Sequence, residues 1–265
     1  MDIIVCVKQV PDPDAPPSSL RIDEAHRLTS TSGLPPVING FDEQAVEAAL
    51  RLKDAHGGTI TVVTLGENLV PEVIKKPLAM GADELVVVWD EAFTDGDSWS
   101  TAHGLAAAIR KLGRYDVIFC GRQASDGDAG QVGPGVAEIL GIPCVTFARA
   151  VKAVDGALRI ERAVPDRREV VEAPMPCVVT VSNELGAPRY PALRGVMAAK
   201  RKQPVTWNVT DLGIDPSTVG AAGARTTLLR LFTPERVAAC ELVSGDTPED
   251  AARNLAARLH EARII

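Results

Sequence analysis

The run Gly121-Arg122-Gln123-Ala124-Ser125-Asp126-Gly127-Asp128-Ala129-Gly130-Gln131-Val132-Gly133 holds the residue types most able to do chemistry. An apolar segment, residues 115–120, precedes it, and a helical pattern follows. A strand, a polar glycine-rich turn and a helix start together present backbone N–H groups to a phosphate. Gly121, Gly127, Gly130 and Gly133 allow close backbone approach or positive φ. Arg122 can neutralise a phosphate or a ring anion. Gln123 and Gln131 can donate and accept around a ribose or a ring edge. Asp126 and Asp128 would repel phosphate, so they fit ribose hydroxyls or caps that shape the turn. The run has neither Walker A nor G-x-G-x-x-G spacing. On residue types alone, a nucleotide loop stands against a plain solvent-facing turn.

Three further groups stand beside it. Cys6-Val7-Lys8-Gln9-Val10 and Asn39-Gly40-Phe41-Asp42 both fall at element boundaries on one expected sheet edge. Cys6 has no evident basic helper and reads as a packed thiol. Residues 94–101 hold Asp97, Ser98 and Thr101 at a helix start, either a plain cap or an additional phosphate cradle. Residues 183–197 mix apolar and basic side chains after a buried strand. Leu193 at the tip with Arg194 beside it suits a docking element, against a loop packed on its own domain. His26, His56, His103 and His260 lack metal-ligand spacing. No nucleophile–base–acid set can be assembled, which weighs against a hydrolase.

The elements that must position these groups are legible from periodicity. Residues 3–7 form an apolar strand, followed by a proline-rich exit over residues 8–17. A helix is expected over residues 43–56, with Asp42 as its N-cap and Gly57 as its stop. A strand over 59–65, a helix over about 69–79, a strand over 84–89, a helix from 98 to about 112, a strand ending at 120 and a helix over 131–140 follow. This alternation predicts an α/β fold: a mostly parallel sheet with helices on both faces. In such folds ligands sit at the C-terminal strand edge. Beyond Cys144 the pattern becomes antiparallel over about 145–172, with Asp155-Gly156 as a hairpin turn. Residues 175–181 read as a buried strand and 193–201 as a short helix. Residues 203–230 read as loop, and a last helix spans 248 to about 262 with Ala251, Leu255, Ala256 and Leu259 on one face.

Composition narrows the function. The net charge of -7 over 265 residues disfavours nucleic acid as a partner, which requires a basic surface. Five dispersed cysteines indicate a reducing compartment, hence a cytoplasmic protein without a disulfide framework. No segment has the ~20 apolar residues of a membrane span.

Taken together, the motifs resemble the beta subunit of electron-transfer flavoprotein along nearly the whole chain. The resemblance rests on residues 121–133 followed by Ala137-Glu138-Ile139-Leu140-Gly141-Ile142-Pro143. It is supported by residues 5–11, 39–42 and 78–83, and by Pro188-Arg189-Tyr190 leading to Lys200-Arg201-Lys202. It implies an adenine-nucleotide-binding α/β domain in a heterodimer with an alpha subunit that holds most of one FAD, while the beta chain holds AMP or, in the bifurcating branch, a second FAD that accepts hydride from NADH. The family's nucleotide positions fall on Cys6, Asn39 to Asp42, Leu65 and Gly121 to Val132, with Lys8 and Gln9 beside a flavin ring and Asp97, Ser98 and Thr101 toward its phosphates. Its docking loop falls on residues 188–197, with Arg189, Tyr190, Leu193, Arg194 and Met197. Implied partners are an acyl-CoA or other dehydrogenase and a quinone-linked or ferredoxin/flavodoxin-type acceptor.

The sequence Asp126-Gly127-Asp128, then Gln131-Val132-Gly133-Pro134, resembles the bifurcating and nitrogen-fixation-associated branch and favours FAD over AMP. Residues 97–101 look like that branch's Asp-Thr-x-Ala-Thr, with substitutions. The chain is then an electron carrier, oxidising NADH only if it is of the bifurcating type. A stand-alone adenine-nucleotide-binding module is the alternative. The resemblance divides the chain into a nucleotide-binding domain over residues 1–200 and, over 201–265, a C-terminal arm and helix that wrap the partner subunit.

Overall fold

A computed structural model describes the chain except for residues 17, 18, 20, 24–27, 31–33 and 233–239. The first strand, β1 (Asp2–Val7), is followed by three short strands, β2 (Gln9–Pro11), β3 (Arg21–Asp23) and β4 (Leu28–Ser30). Next come β5 (Pro36–Ile38), helix α1 (Gly40–His56), strand β6 (Thr59–Leu65), helices α2 (Pro71–Ile74) and α3 (Lys76–Met80), and strand β7 (Glu84–Val88). The core continues with α4 (Ser98–Leu112), β8 (Val117–Gly121) and α5 (Val132–Leu140). Strands β9 (Cys144–Val154), β10 (Ala157–Val164), β11 (Arg167–Pro174) and β12 (Cys177–Val181) then lead to α6 (Leu193–Arg201). The last elements are β13 (Val205–Trp207), α7 (Val209–Leu212), α8 (Gly220–Gly223) and α9 (Pro248–Glu261).

Nine strands form one sheet in the order β11-β10-β9-β12-β8-β1-β6-β7-β13. Only β9-β10 and β10-β11 are antiparallel, as the expected small addition; the remaining pairings are parallel. The pleat of β1 explains the two covering layers. Ile3, Val5 and Val7 join Ala45, Ala49 and Leu52 of α1 in one apolar cluster. Ile4 and Cys6 point the other way, onto Ala102, Leu105 and Ile109 of α4 and Val136 of α5. A strand buried on both faces reads as an unbroken apolar run, as residues 3–7 do.

The chain leaves β1 for β6 and β7 on one side, then crosses to β8 on the other. The connections therefore diverge between β1 and β8, which places a crevice at the C-terminal ends of those strands. The Asp155-Gly156 turn has φ of 45° and 83° at its two residues, the positive pair of a tight hairpin.

Four expectations need correction. Helix α1 starts at Gly40 behind Asn39, so Asp42 lies inside its first turn rather than capping it. The reason is that the Asp42 carboxylate accepts backbone amides from two strand ends. The single helix expected over 69–79 is two short ones, because Pro77 has no N–H to continue the first. Strand β7 stops at Val88, although the Trp89 amide still donates to the Trp207 carbonyl at 3.0 Å. Residues 203–230 are not loop throughout: β13 pairs with β7 and extends the sheet past residue 200, and α7 is opened by a capping box of Asn208 and Asp211. Three-residue and four-residue elements are too short to show periodicity.

Among the described residues all five cysteines are free, no helix is long and apolar enough to cross a membrane, and no cluster of ligating side chains could hold a metal.

Candidate functional site

The crevice between β1 and β8 opens into a cleft of about 600 Å³, within the several-hundred-Å³ range of ligand pockets. Cys6 and Lys8 from β1 and its exit, Leu65 from β6, and Cys120 and Gly121 from β8 line one part of it. The amino ends of α4 and α5 face it through Ser98, Thr101, Val132 and Gly133. Both helices begin at the cleft, and the partial positive charge of a helix amino end favours an anion there; at α4 the Ser100 amide is already taken by the Asp97 side chain.

Asp42 joins the two strand ends. It is almost fully buried, and its carboxylate accepts the Lys8 amide at 2.8 Å and the Gly121 amide at 3.0 Å. Gly121 is required by this closeness: a Cβ there would lie 2.3 Å from the Asp42 carboxylate and 2.8 Å from Phe41 Cβ. Burial pushes the Asp42 carboxyl up to about 7, against the lowering effect of the Lys8 and Gly121 amides and the Asn39 side chain.

Asn39, also buried, holds the glycine-rich loop. Its Nδ2 donates to the Gln123 carbonyl at 2.8 Å, and its Oδ1 accepts the Ser125 amide at 3.2 Å. The acids in the loop each have a partner. Lys8 Nζ pairs with Asp126 at 2.7 Å across the mouth of the cleft, and Gln123 Nε2 donates to Asp128 at 2.7 Å. These contacts make Asp126 and Asp128 shaping residues of the turn, one of the two roles their side chains suit. Gly130 adopts φ +64°, a left-handed turn that glycine takes without strain.

The cleft gathers most of the residues singled out in the sequence. Asn39, Asp42, Arg122, Gln123, Ala124, Asp126, Gly127, Asp128, Ala129, Gly130 and Gln131 line it together with the strand-end and helix-start residues named above and with Asp97. Four lie outside its lining. Ser125 meets Asn39 through its amide, and Gly40 opens α1. Gln9 turns to residues 68–70, accepting the Val70 amide at 2.7 Å and donating to the Asn68 carbonyl at 3.2 Å. Phe41 faces Arg122, whose guanidinium lies 5.5 Å from its ring centroid.

Sequence reasoning missed Trp89, Phe93 and Thr226, which also line the cleft, and Phe147. The Phe147 ring lies 5.0 Å from the Arg122 guanidinium, so Arg122 is flanked by two aromatics. Phe147 reaches it from a left-handed backbone, φ 59°, at an irregularity in β9, with its amide given to Thr180 Oγ1 at 3.2 Å. Its membership in an alternating strand conceals such a bulge. Thr226 sits in an aperiodic stretch that carries no signal at all.

At the cleft floor Cys6 and Cys120 are neighbours. Their mutual hydrogen bond, followed by burial, raises the Cys120 thiol well above its ordinary range. A thiol raised in this way is a poor nucleophile, which speaks against Cys120 in that role.

The proposed docking loop lies elsewhere, after β12. Tyr190 is 95% exposed, Leu193 77% and Met197 54%, so three apolar side chains project from one short segment with exposed Arg194 among them. Arg189 is half-buried and tied to α1. Its Nε donates to buried Glu47 at 2.8 Å and its Nη2 to Asp54 at 2.8 Å, and its own amide also meets Glu47 at 3.1 Å. Burial raises the Glu47 carboxyl, but the Arg189 and Arg51 guanidinium groups outweigh it and hold the group below its ordinary value. Helix α6 rests directly on α3: a Cβ on Gly195 would lie 2.2 Å from the Ala79 carbonyl oxygen.

Comparisons with known proteins point to one family. A model of the electron transfer flavoprotein domain matches residues 29–212. The chain is 39% identical, over the whole of both proteins, to the electron transfer flavoprotein subunit beta of Thermoanaerobacterium thermosaccharolyticum. It is 38% identical, again over the whole of both, to the caffeyl-CoA reductase-Etf complex subunit CarD of Acetobacterium woodii. It is 36% identical to the protein FixA of Bradyrhizobium diazoefficiens, over 95% of this chain and 89% of that protein.

Proposed function

The chain belongs to the electron transfer flavoprotein family as a beta subunit, and from that premise we propose that its switch-point cleft holds an adenine nucleotide, FAD in the first reading, within an electron-carrying heterodimer. The observation that carries the reading is the convergence of two helix amino ends, the glycine-rich loop and the β1 and β8 ends on one cleft. The donor set fits the group. The amides at the start of α5, with the hydroxyls of Ser98 and Thr101 on α4, would take the phosphates, since Asp97 already holds the Ser100 amide. Gln123 and Gln131 would meet ribose or ring edges. Lys8 would trade Asp126 for a phosphate or ring anion, and Arg122, held between Phe41 and Phe147, would supply a fixed positive charge at the rim. The bound flavin supplies the redox chemistry, and the chain supplies binding, orientation and electrostatics.

Structural AMP is the second reading, and one observation favours it. Val10 is buried, and Gln9 is tied to residues 68–70, which fills the space expected for a ring beside Lys8. Against that, the cleft continues past Phe93 and residues 94–96 to Thr226, a length that suits a dinucleotide.

The partners follow from the same reading. An alpha subunit covers the C-terminal arm, where Leu229, Leu242 and Leu255 are exposed at 83%, 90% and 46%. An acyl-CoA or other dehydrogenase docks on Tyr190, Leu193 and Met197, and the electrons pass on to a quinone-linked or ferredoxin/flavodoxin-type acceptor. Counting FAD and AMP in the purified heterodimer tests the cofactor reading. Two FAD support FAD in this chain, one FAD with one AMP supports structural AMP, and one FAD alone overturns both.

A further inference from the structure

The two oxygens of Asp97 have different tasks. Oδ1 accepts the Ser100 amide at 2.9 Å and caps α4. Oδ2 accepts three donors from much later in the chain: the Arg225 amide at 2.8 Å, the Thr226 amide at 2.9 Å and the Thr226 hydroxyl at 3.0 Å. Beside this clamp the Arg225 guanidinium lies over the Trp99 ring, 3.8 Å from its centroid.

The chain on either side of the clamp behaves differently. Before it, Val219 is fully buried and the Ala221 amide donates to the Thr94 carbonyl at 2.9 Å. Gly220, at φ +56°, lies so close to residue 92 that a Cβ would come within 2.0 Å of the Ala92 carbonyl oxygen. After it, Leu229 is exposed at 83%. The clamp therefore marks the point where a seated chain becomes an exposed arm, and Thr226, at that point, is also part of the cleft wall.

We infer that Asp97 makes the root of the C-terminal arm a closing wall of the cleft, so that cleft occupancy and arm position are energetically linked. The inference rests on the cleft being the nucleotide site. A nucleotide can touch Thr226 only while the clamp is closed, so the closed state binds it better. Linkage is reciprocal: a nucleotide holds the arm root down, and a partner that holds the arm strengthens nucleotide binding by the same factor. Asp97 acts here as a positioning residue. Its charge is matched to the arm's donors, whereas contact with a phosphate would be repulsive.

The test uses the full-length chain with AMP and FAD as probes. Asp97→Asn can keep Oδ1 for the Ser100 cap while placing an amide NH2 against three donors. AMP and FAD binding then weaken about tenfold, within the usual range of coupling between sites. Trypsin cleavage after Arg225 and Arg230, slowed by AMP in the wild type, is no longer slowed. Thr226→Val, which leaves Asp97 and its cap intact, moves both readouts the same way by less. Wild-type affinity and wild-type protection in both variants overturn the inference and leave the nucleotide reading standing, as does weaker binding in which AMP still protects the arm. A wild-type chain that binds neither probe overturns both.

Discussion

Asn39 and Gln123 are joined across 84 positions of sequence: Asn39 Nδ2 donates to the Gln123 carbonyl at 2.8 Å, and the same side chain accepts the Ser125 amide. One buried amide thus fixes the glycine-rich loop over the end of β1. Asn39→Ala leaves a carbonyl and an amide of the loop without these partners, at a cost of about 1–3 kcal/mol. Equilibrium titration with AMP should show binding weakened roughly tenfold or more. Unaltered affinity would mean the loop holds its shape without Asn39.

Asp42 gives a pH signature. Its ordinary value of 3.8 rises to about 7 in the fold, chiefly through burial. The folded chain therefore holds this proton more tightly than the unfolded chain, and its stabilising contribution is complete below about pH 4. That contribution falls as the pH rises and is lost above about pH 7, a change on the order of 4 kcal/mol. Asp42→Asn, which cannot ionise, should flatten that part of the profile. Denaturant unfolding of both chains from pH 5 to 7.5 checks this, and parallel slopes would contradict it.

Much of the site was legible because its parts sit at element boundaries. Residues 121–133 announce a turn by glycine and charge, and Asp97 announces a cap, which it forms with Ser100. The convergence of residues 6–8, 39–42 and 121–133 follows from a parallel sheet whose connections reverse beside the first strand. Partners distant in sequence were not legible. Asp42 resembles an N-cap in sequence, and only the meeting of β1 with β8 shows that it bridges their ends. Arg189 reads as a docking residue in sequence, and its ion pairs with Glu47 and Asp54, on a helix far earlier in the chain, could not be foreseen there. Short edge elements such as β13 escape because three residues carry no period.

Leu193 and Glu47 separate the proposed docking role from the support of the segment that would carry it. Leu193→Ala removes an apolar anchor worth about 2 kcal/mol if it is a hot spot. Electron transfer from a dehydrogenase should slow by roughly thirtyfold at limiting concentrations, with nucleotide content unchanged. Glu47→Gln removes the charge that Arg189 and Arg51 share and should increase proteolytic cleavage over residues 186–194, whereas Leu193→Ala should not. Equal cleavage in wild type and Glu47→Gln would remove Glu47 from that role.

The central claim is that one adenine nucleotide occupies the cleft between the β1 and β8 ends. Calorimetric titration of the full-length chain with AMP, repeated in the presence of FAD, measures this directly. The account predicts one AMP per chain and displacement of AMP by FAD, because both use the same helix amino ends and the same loop. Failure to bind either, or simultaneous binding of both, would contradict it.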